Sequence, residues 1–520
     1  MIWNQTADGL DNSYFMETYD LDTPLIELSG SDSVAGVWSV RNAVEGVQIF
    51  GGIGSGKTSG SGRMLALKYL TAGFGGLVLT VKPDEKDVWV DYCAKTGRTK
   101  DLLIVEPGQD NFFNFLEYTG GTGNDFLTEN IVQVLKTVIN ASAEKSGGKA
   151  DDPFWETALD MLIFNVIDLC KLAYGKISVQ KMFEIVQSLP KADTVYNPGE
   201  QTAFQTAFDI AEQKVNEQIN TWANRQPVET MLKFSDNLFY DEAVCAALPD
   251  ARLFKFIHEF FMDSFMNLAE KTRSIIDFSF SGFLFHLLRD PVYSLFCSRA
   301  ATFTPEDCFE GKIILINLPV KTYHKIGRDS QIMFKYIWQR AMEKREITDV
   351  TRPVFLWADE AQHFLHEHDA EYQATARSSR IATVYISQNL PNYLANMGGA
   401  KSDFKVKSFL GTLGTKIFHA NADIETNRYA SELIGDTFYE ETSQTSTAAG
   451  TFSSSRTKSL KIDRAVKPEE FAHLKTGGPL NSFRVEGYLH FQGNILKNGL
   501  NHIKIQFNQQ YIPHTLKSLT

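Results

Sequence analysis

The stretch that most constrains this chain is Gly46-Val-Gln-Ile-Phe-Gly-Gly-Ile-Gly-Ser-Gly-Lys-Thr58. Val47 to Phe50 is a short apolar run that reads as a buried strand, and Arg63 to Leu70 carries apolar residues at helical spacing. Between them, Gly51-x-x-x-x-Gly56-Lys57-Thr58 satisfies the phosphate-loop pattern, in the strand–loop–helix setting that the pattern requires. Glycines let successive backbone N–H groups turn inward on phosphate oxygens, and the helix N-terminus adds partial positive charge. The expected cradle is Gly51, Gly52, Ile53, Gly54, Ser55, Gly56, Lys57, Thr58 and Ser59. Lys57 is expected on the β- and γ-phosphates of ATP, and the Thr58 hydroxyl on Mg²⁺.

A phosphate loop needs a carboxylate at the end of a neighbouring strand. Val354-Phe-Leu-Trp-Ala-Asp359-Glu360 supplies two. Asp359 is placed to hold Mg²⁺, and Glu360 to act as the general base for the water attacking the γ-phosphate. A small-molecule kinase needs an acceptor site rather than a water-activating glutamate, so the pair argues for hydrolysis coupled to motion. Ala382 to Ser387 reads as a further buried strand ending at Gln388, whose amide is placed to contact the γ-phosphate or its water. Arg377 and Arg380 stand just upstream, and either could serve a neighbouring subunit's nucleotide as an arginine finger.

At 520 residues and 43% hydrophobic content, the chain can bury a large core divided into two or three units. A net charge of −12 excludes a uniformly basic surface, leaving nucleic-acid binding to a local groove or lumen. Five scattered cysteines without a CxxC pair predict reduced thiols and a cytoplasmic protein. No signal peptide is evident at the N-terminus. The most apolar helix candidate, Ala158 to Ala173, carries Asp160, Asn165, Asp168 and Lys171 and falls short of the ~20 apolar residues of a membrane span.

Along the chain, residues 1–45 read as an N-terminal extension with an edge strand, and 46–123 as the first part of the nucleotide-binding domain. Residues 124–295 show helical periodicity and read as an inserted all-helical domain, with a disorder-prone piece at Ala141 to Asp152. The α/β pattern resumes over 296–440, a Ser/Thr-rich flexible loop is expected at 441–460, and alternating strands over 461–520 complete the domain. His363, His366 and His368 lack metal-ligand spacing and are assigned to a solvated helix; Trp89, Trp155 and Trp338 are assigned to the core.

Taken together, the ordered set resembles a known family. It runs from the phosphate loop through Lys82 and Asp84, Lys271-Thr-Arg-Ser274, Gly311-Lys-Ile-Ile-Leu-Ile-Asn-Leu-Pro319, Asp359-Glu360, and Arg377 with Ile386-Ser-Gln388, to Phe418-His-Ala-Asn-Ala-Asp-Ile-Glu-Thr-Asn427 and Leu433-Ile-Gly435. These residues resemble the type IV coupling proteins of bacterial conjugation, the TraD/TraG group within the FtsK/HerA branch of P-loop ATPases. The resemblance implies an α/β, RecA-like parallel sheet with an inserted all-α domain and a C-terminal antiparallel strand segment. It also implies a homo-hexameric, DNA-dependent ATPase using ATP and Mg²⁺, with single-stranded DNA in the lumen and a relaxase and secretion-channel proteins as partners. It favours Arg377 over Arg380 as the finger. Family members anchored by N-terminal membrane helices differ from this sequence, which predicts attachment to the inner membrane through a partner. The competing expectations are a HerA/FtsK-like double-stranded DNA translocase in repair or phage defence, and a nucleotide-gated docking receptor with little hydrolysis.

Overall fold

The computed structural model describes residues 2–3, 19–29, 34–121, 127–145, 153–190, 201–227, 237–397, 402–449, 451–493, 496–497 and 499–513. The chain divides into two compact units. The first comprises Met1–Leu103, Pro305–Lys321 and Trp338–Thr520; the second comprises Ile104–Thr304 and Thr322–Ile337.

The first unit is built on strands β1 (Ile2–Trp3), β2 (Pro24–Ser29), β3 (Val34–Ser39), β4 (Val47–Phe50), β5 (Gly75–Leu79), β6 (Leu102–Val105), β7 (Ile313–Ile316), β8 (Val354–Ala358), β9 (Ile381–Ser387) and β10 (Thr415–Phe418). Four more follow: β11 (Asp436–Ala449), β12 (Thr451–Arg464), β13 (Arg484–Phe491) and β14 (His502–Asn508). Twelve of them form one sheet in the order β3-β2-β1-β14-β13-β10-β4-β9-β8-β5-β7-β6. Its centre, β10-β4-β9-β8-β5-β7, is parallel throughout. The reason lies in composition: β4, β5, β7, β8 and β9 are near-continuous apolar runs and are buried at every position, as strands covered on both faces must be. The α/β fold expected from the sequence is the fold observed.

Edge strands account for the N-terminal segment. β2 pairs antiparallel with both β1 and β3, so the single edge strand expected there becomes three. On the same side, β13 pairs antiparallel with β10 and with β14, as the alternation predicted.

The Ser/Thr-rich segment expected as a flexible loop is instead a ribbon. β11 and β12 pair antiparallel from Asp436↔Arg464 onward, in a sheet of their own. The described side chains of residues 437–443 and 456–461 meet solvent on both faces, so this part of the ribbon needs no apolar period. Phe438, Leu460 and Ile462 are correspondingly exposed. Ion pairs brace it: Lys458–Glu440 at 2.8 Å and Arg464–Asp436 at 2.9 Å. Residue 450 lies outside the described residues.

The second unit is helical, with its longest helices at Thr128–Lys145, Pro153–Tyr174, Ala203–Ala223 and Glu270–Leu287. Ser178 and Thr202 cap their helices by accepting from Lys181 N and Gln205 N. The unit starts some twenty residues before the expected boundary and includes part of the helix Val320–Glu343. Aromatic packing explains this, because Phe113 meets Phe303 at 5.8 Å and Phe334 at 4.9 Å between ring centroids. Of the expected disorder-prone piece, Ala141 to Lys145 ends a helix and 146–152 lies outside the described residues. No helix among the described residues is long and apolar enough to cross a membrane.

The histidines at 363–368 do not form a solvated helix. Ala361–His363 is a single 3₁₀ turn, and His366 is buried, with its Nε2 3.0 Å from Gln339 Oε1. Its backbone N–H donates to buried Asp369, which also accepts from Gln339 Nε2 at 3.0 Å. Trp89 and Trp338 are in the core, whereas Trp155 is only half-buried.

Candidate nucleotide-binding site

The loop Gly51–Lys57 leaves β4 at the carboxyl edge of the parallel strands, where open α/β sheets place their ligands. Two hydrogen bonds fix its start: Gly51 N donates to Ser387 O at 3.3 Å and Gly52 N to Ala420 O at 2.9 Å. Gly54 and Gly56 take φ of +72° and +81°, a region open to glycine at little cost. At Gly56 a side chain would also strike Val485, since a Cβ there would lie 2.5 Å from Val485 Cγ2. The helix that follows opens with a π-turn, Thr58–Gly62, in which Gly62 N reaches back to Lys57 O at 2.9 Å.

β8 delivers the acids. The Thr58 hydroxyl donates to Asp359 Oδ2 at 2.8 Å, joining residues 301 positions apart in sequence. A hydroxyl and a buried carboxylate in contact are the hard oxygen donors that Mg²⁺ takes at phosphate sites, so the residues present fit that ion. Burial raises the Asp359 pKa despite the opposing charges of Lys82 and Lys57. A cation at this carboxylate would hold it ionised.

Glu360 sits beside Asp359 with φ 50° and ψ 49°, a left-handed conformation that costs a non-glycine residue on the order of 1–2 kcal/mol. Its carboxylate accepts from Gln362 Nε2 at 2.9 Å and from Gln388 Nε2 at 3.2 Å, and Lys57 Nζ lies 4.0 Å away. Burial pushes Glu360 up, but the Gln362 hydrogen bond, Lys57, Gln388 and Lys82 outweigh it and leave the pKa lowered. An ionised carboxylate oriented by two amides is suited to polarising a water molecule. Gln362 is in turn held by the Ser387 hydroxyl at 3.0 Å, and Asn421 Nδ2 donates to Gln388 O at 2.8 Å.

Lys57, Thr58, Asp359, Glu360 and Gln388 therefore converge. Arg377 does not join them. It follows the helix Asp369–Ala376 and precedes β9, at the edge of the sheet opposite the phosphate loop. The length of β9 separates the two edges by about 20 Å. There Arg377 pairs with Glu45 at 3.4 Å and is half exposed. Arg380, with φ 54°, donates to Tyr19 O at 3.1 Å.

Lys82, Glu85 and His419 were also not assigned roles from sequence. Lys82 Nζ lies 4.0 Å from each of Asp359, Glu360 and Glu85. Glu85 accepts from Val81 N at 2.7 Å, and burial, reinforced by the charge of Asp359, raises its pKa to about 8. A lysine shortly after a buried strand, followed three residues on by an acid, was the available signal for this pair. His419 is buried behind the loop; it stands in the Phe418–Asn427 segment of the resemblance, but a lone histidine after a short strand gives no sign of its role.

Comparison with known proteins agrees with this architecture. Residues 353–476 match the family model described as the TraM recognition site of TraD and TraG, and the resemblance to that group stands. No curated protein matches the sequence. Among solved structures, the bacterial conjugative coupling protein TrwBdeltaN70 in its unbound monoclinic form is similar with a TM-score of 0.58 at 14% identity, over 94% of this chain and 89% of that one. Plasmid coupling protein TrwB in complex with the ATP analogue ADPNP gives a TM-score of 0.54 at 13% identity, covering 94% and 92%. TrwB in complex with ADP and Mg²⁺ gives 0.55 at 12% identity, covering 92% and 89%. These likenesses establish a shared fold.

Proposed function

We propose that this chain is a DNA-dependent ATPase motor of the conjugative coupling type, which moves DNA with its bound relaxase toward a type IV secretion channel. The observation that carries the reading is the Thr58–Asp359 contact at 2.8 Å, with Glu360 and Gln388 poised beside it. Together they form a hydrolytic site on a coupling-protein fold. TrwB, which shares the fold, has been solved with ADPNP and with ADP and Mg²⁺, supporting ATP and Mg²⁺ here.

In this reading the loop amides of Gly51–Ser59 hold the phosphates, and Lys57 neutralises charge on the β- and γ-oxygens. Thr58 and Asp359 would hold Mg²⁺, which would neutralise phosphate charge there. Glu360 accepts the proton of the attacking water, and Gln388 couples the γ-phosphate to β9. Arg377, remote from its own subunit's site, serves the nucleotide of a neighbour in a homo-hexameric ring. Lumenal DNA, preferentially single-stranded, completes the motor, which works at the inner face of the membrane through a membrane-anchored partner. The TraM recognition family match supports contact with the DNA-processing complex on the plasmid side.

The test is steady-state ATP hydrolysis with and without circular single-stranded or linear double-stranded DNA. Single-stranded DNA should stimulate the wild type. Lys57→Ala and Glu360→Gln should each lose about 10²–10⁴-fold in kcat, with Glu360→Gln still binding nucleotide. Mixing inactive Arg377→Ala subunits with Lys57→Ala subunits should restore activity, because an interface that joins the intact Lys57 of one variant to the intact Arg377 of the other carries neither lesion. Turnover indifferent to both DNAs sinks the motor reading. Stimulation by double-stranded DNA alone transfers it to a duplex translocase.

A further inference from the structure

Behind the phosphate loop lies a buried contact that the hydrolytic scheme does not use. His419, 1% exposed, follows β10, and its ring bridges two elements. Nδ1 lies 2.8 Å from Glu486 O on β13, and Nε2 lies 2.7 Å from the Ser61 hydroxyl on the π-turn. A carbonyl oxygen only accepts, so Nδ1 carries the proton. Nε2 of the neutral ring then accepts from Ser61. Burial lowers the His419 pKa to about 4, which keeps the ring neutral under ordinary conditions.

The backbone around His419 ties the same parts together. His419 N donates to Phe50 O at 2.8 Å, and the next residue's carbonyl receives Gly52 N. Asn421 holds Gln388 O. Space is tight as well, since a Cβ at Gly51 would lie 2.9 Å from His419 Cβ, and one at Gly487 would lie 3.0 Å from Nδ1. The wide turn that receives Ser61 is of the π type, a geometry that recurs at functional sites.

We infer that His419 and Ser61 form a positioning pair that sets the first turn of the phosphate-loop helix, and with it Lys57 and Thr58, against the γ-phosphate of ATP. The inference rests on the reading of Gly51–Thr58 as a nucleotide site. Ser61 stands one turn after Lys57 and Thr58, so its anchorage fixes the backbone from which both side chains project; its one hydroxyl proton goes to Nε2 rather than to Lys57 O, 3.2 Å away. The pair touches no reacting atom and works through geometry alone.

Two half-mimics separate the contacts. Glutamine at 419 places its amide near the former Nε2 and keeps the link to Ser61, whereas asparagine places it near Nδ1 and keeps only the link to β13. Binding of a fluorescent non-hydrolysable ATP analogue with Mg²⁺, and of the corresponding ADP, should be measured alongside thermal melting. His419→Asn and Ser61→Ala should each weaken the ATP analogue about tenfold, equivalent to ~1.4 kcal/mol, and the ADP probe less. The double variant should be no worse than either single one, and His419→Gln should stay within about twofold of the wild type. Equal losses in the Gln and Asn variants, or additive losses in the double variant, overturn the pair. Ser61→Ala, which leaves β10 unaltered, carries the test should a histidine variant misfold: unchanged affinity there also overturns it. A wild type that binds neither nucleotide overturns the nucleotide reading itself, which is a distinct failure.

Discussion

Thr58 and Asp359 illustrate what a sequence discloses about single residues and what it hides. Both were assigned from obligate residue types in a set order: a lysine–threonine step after glycines, and acids after an apolar strand. Their contact needs only that β4 and β8 run parallel with β9 between them. Glu85 and His419 escaped because their roles depend on which groups approach after folding; Ser61 and His419 are 358 positions apart. Glu85 makes a measurable prediction. Its folded pKa is raised from 4.5 to about 8, so the stability its proton confers is fully present below pH 4.5 and gone above about pH 8. The slope is at most ~1.4 kcal/mol per pH unit. Glu85→Gln keeps a neutral side chain at every pH and should therefore gain stability relative to the wild type between pH 5 and pH 8. Urea unfolding at both values, in chelator and without nucleotide, checks this; a pH-independent difference contradicts it.

Among elements, those with an unambiguous apolar pattern were legible, and those whose form depends on pairing were not. β8 and β9 read directly from sequence because strands buried on both faces are near-continuous apolar runs. The β11–β12 ribbon reads in sequence as a flexible loop because Ser and Thr show no period, yet backbone pairing and cross-strand charges suffice to shape it. The inserted helical unit was recognised, but its limits were set by Phe113, Phe303 and Phe334, aromatic residues that sequence separates by up to 221 positions. The ribbon forms a sheet of its own, and exposed ion pairs such as Lys458–Glu440 contribute only ~0–1 kcal/mol each. Replacing residues 441–459 with a short Gly-Ser turn should leave the melting temperature within a few degrees and nucleotide affinity unchanged. A large loss of either would show that the ribbon supports the site.

For the whole molecule, the central claim is that a site assembled from β4, β8 and β9 converts ATP hydrolysis into movement along DNA. Site convergence and fold agree with it, and the remoteness of Arg377 fits a motor whose catalytic set is completed by a neighbour. The direct measurement is displacement of streptavidin from the end of a biotinylated single-stranded oligonucleotide. Wild-type protein with ATP and Mg²⁺ is expected to clear the block from one end in preference to the other, and Lys57→Ala or a non-hydrolysable analogue is expected to leave it in place. Displacement that is equal with Lys57→Ala, or absent from both single- and double-stranded substrates while ATP is being hydrolysed, would contradict the account.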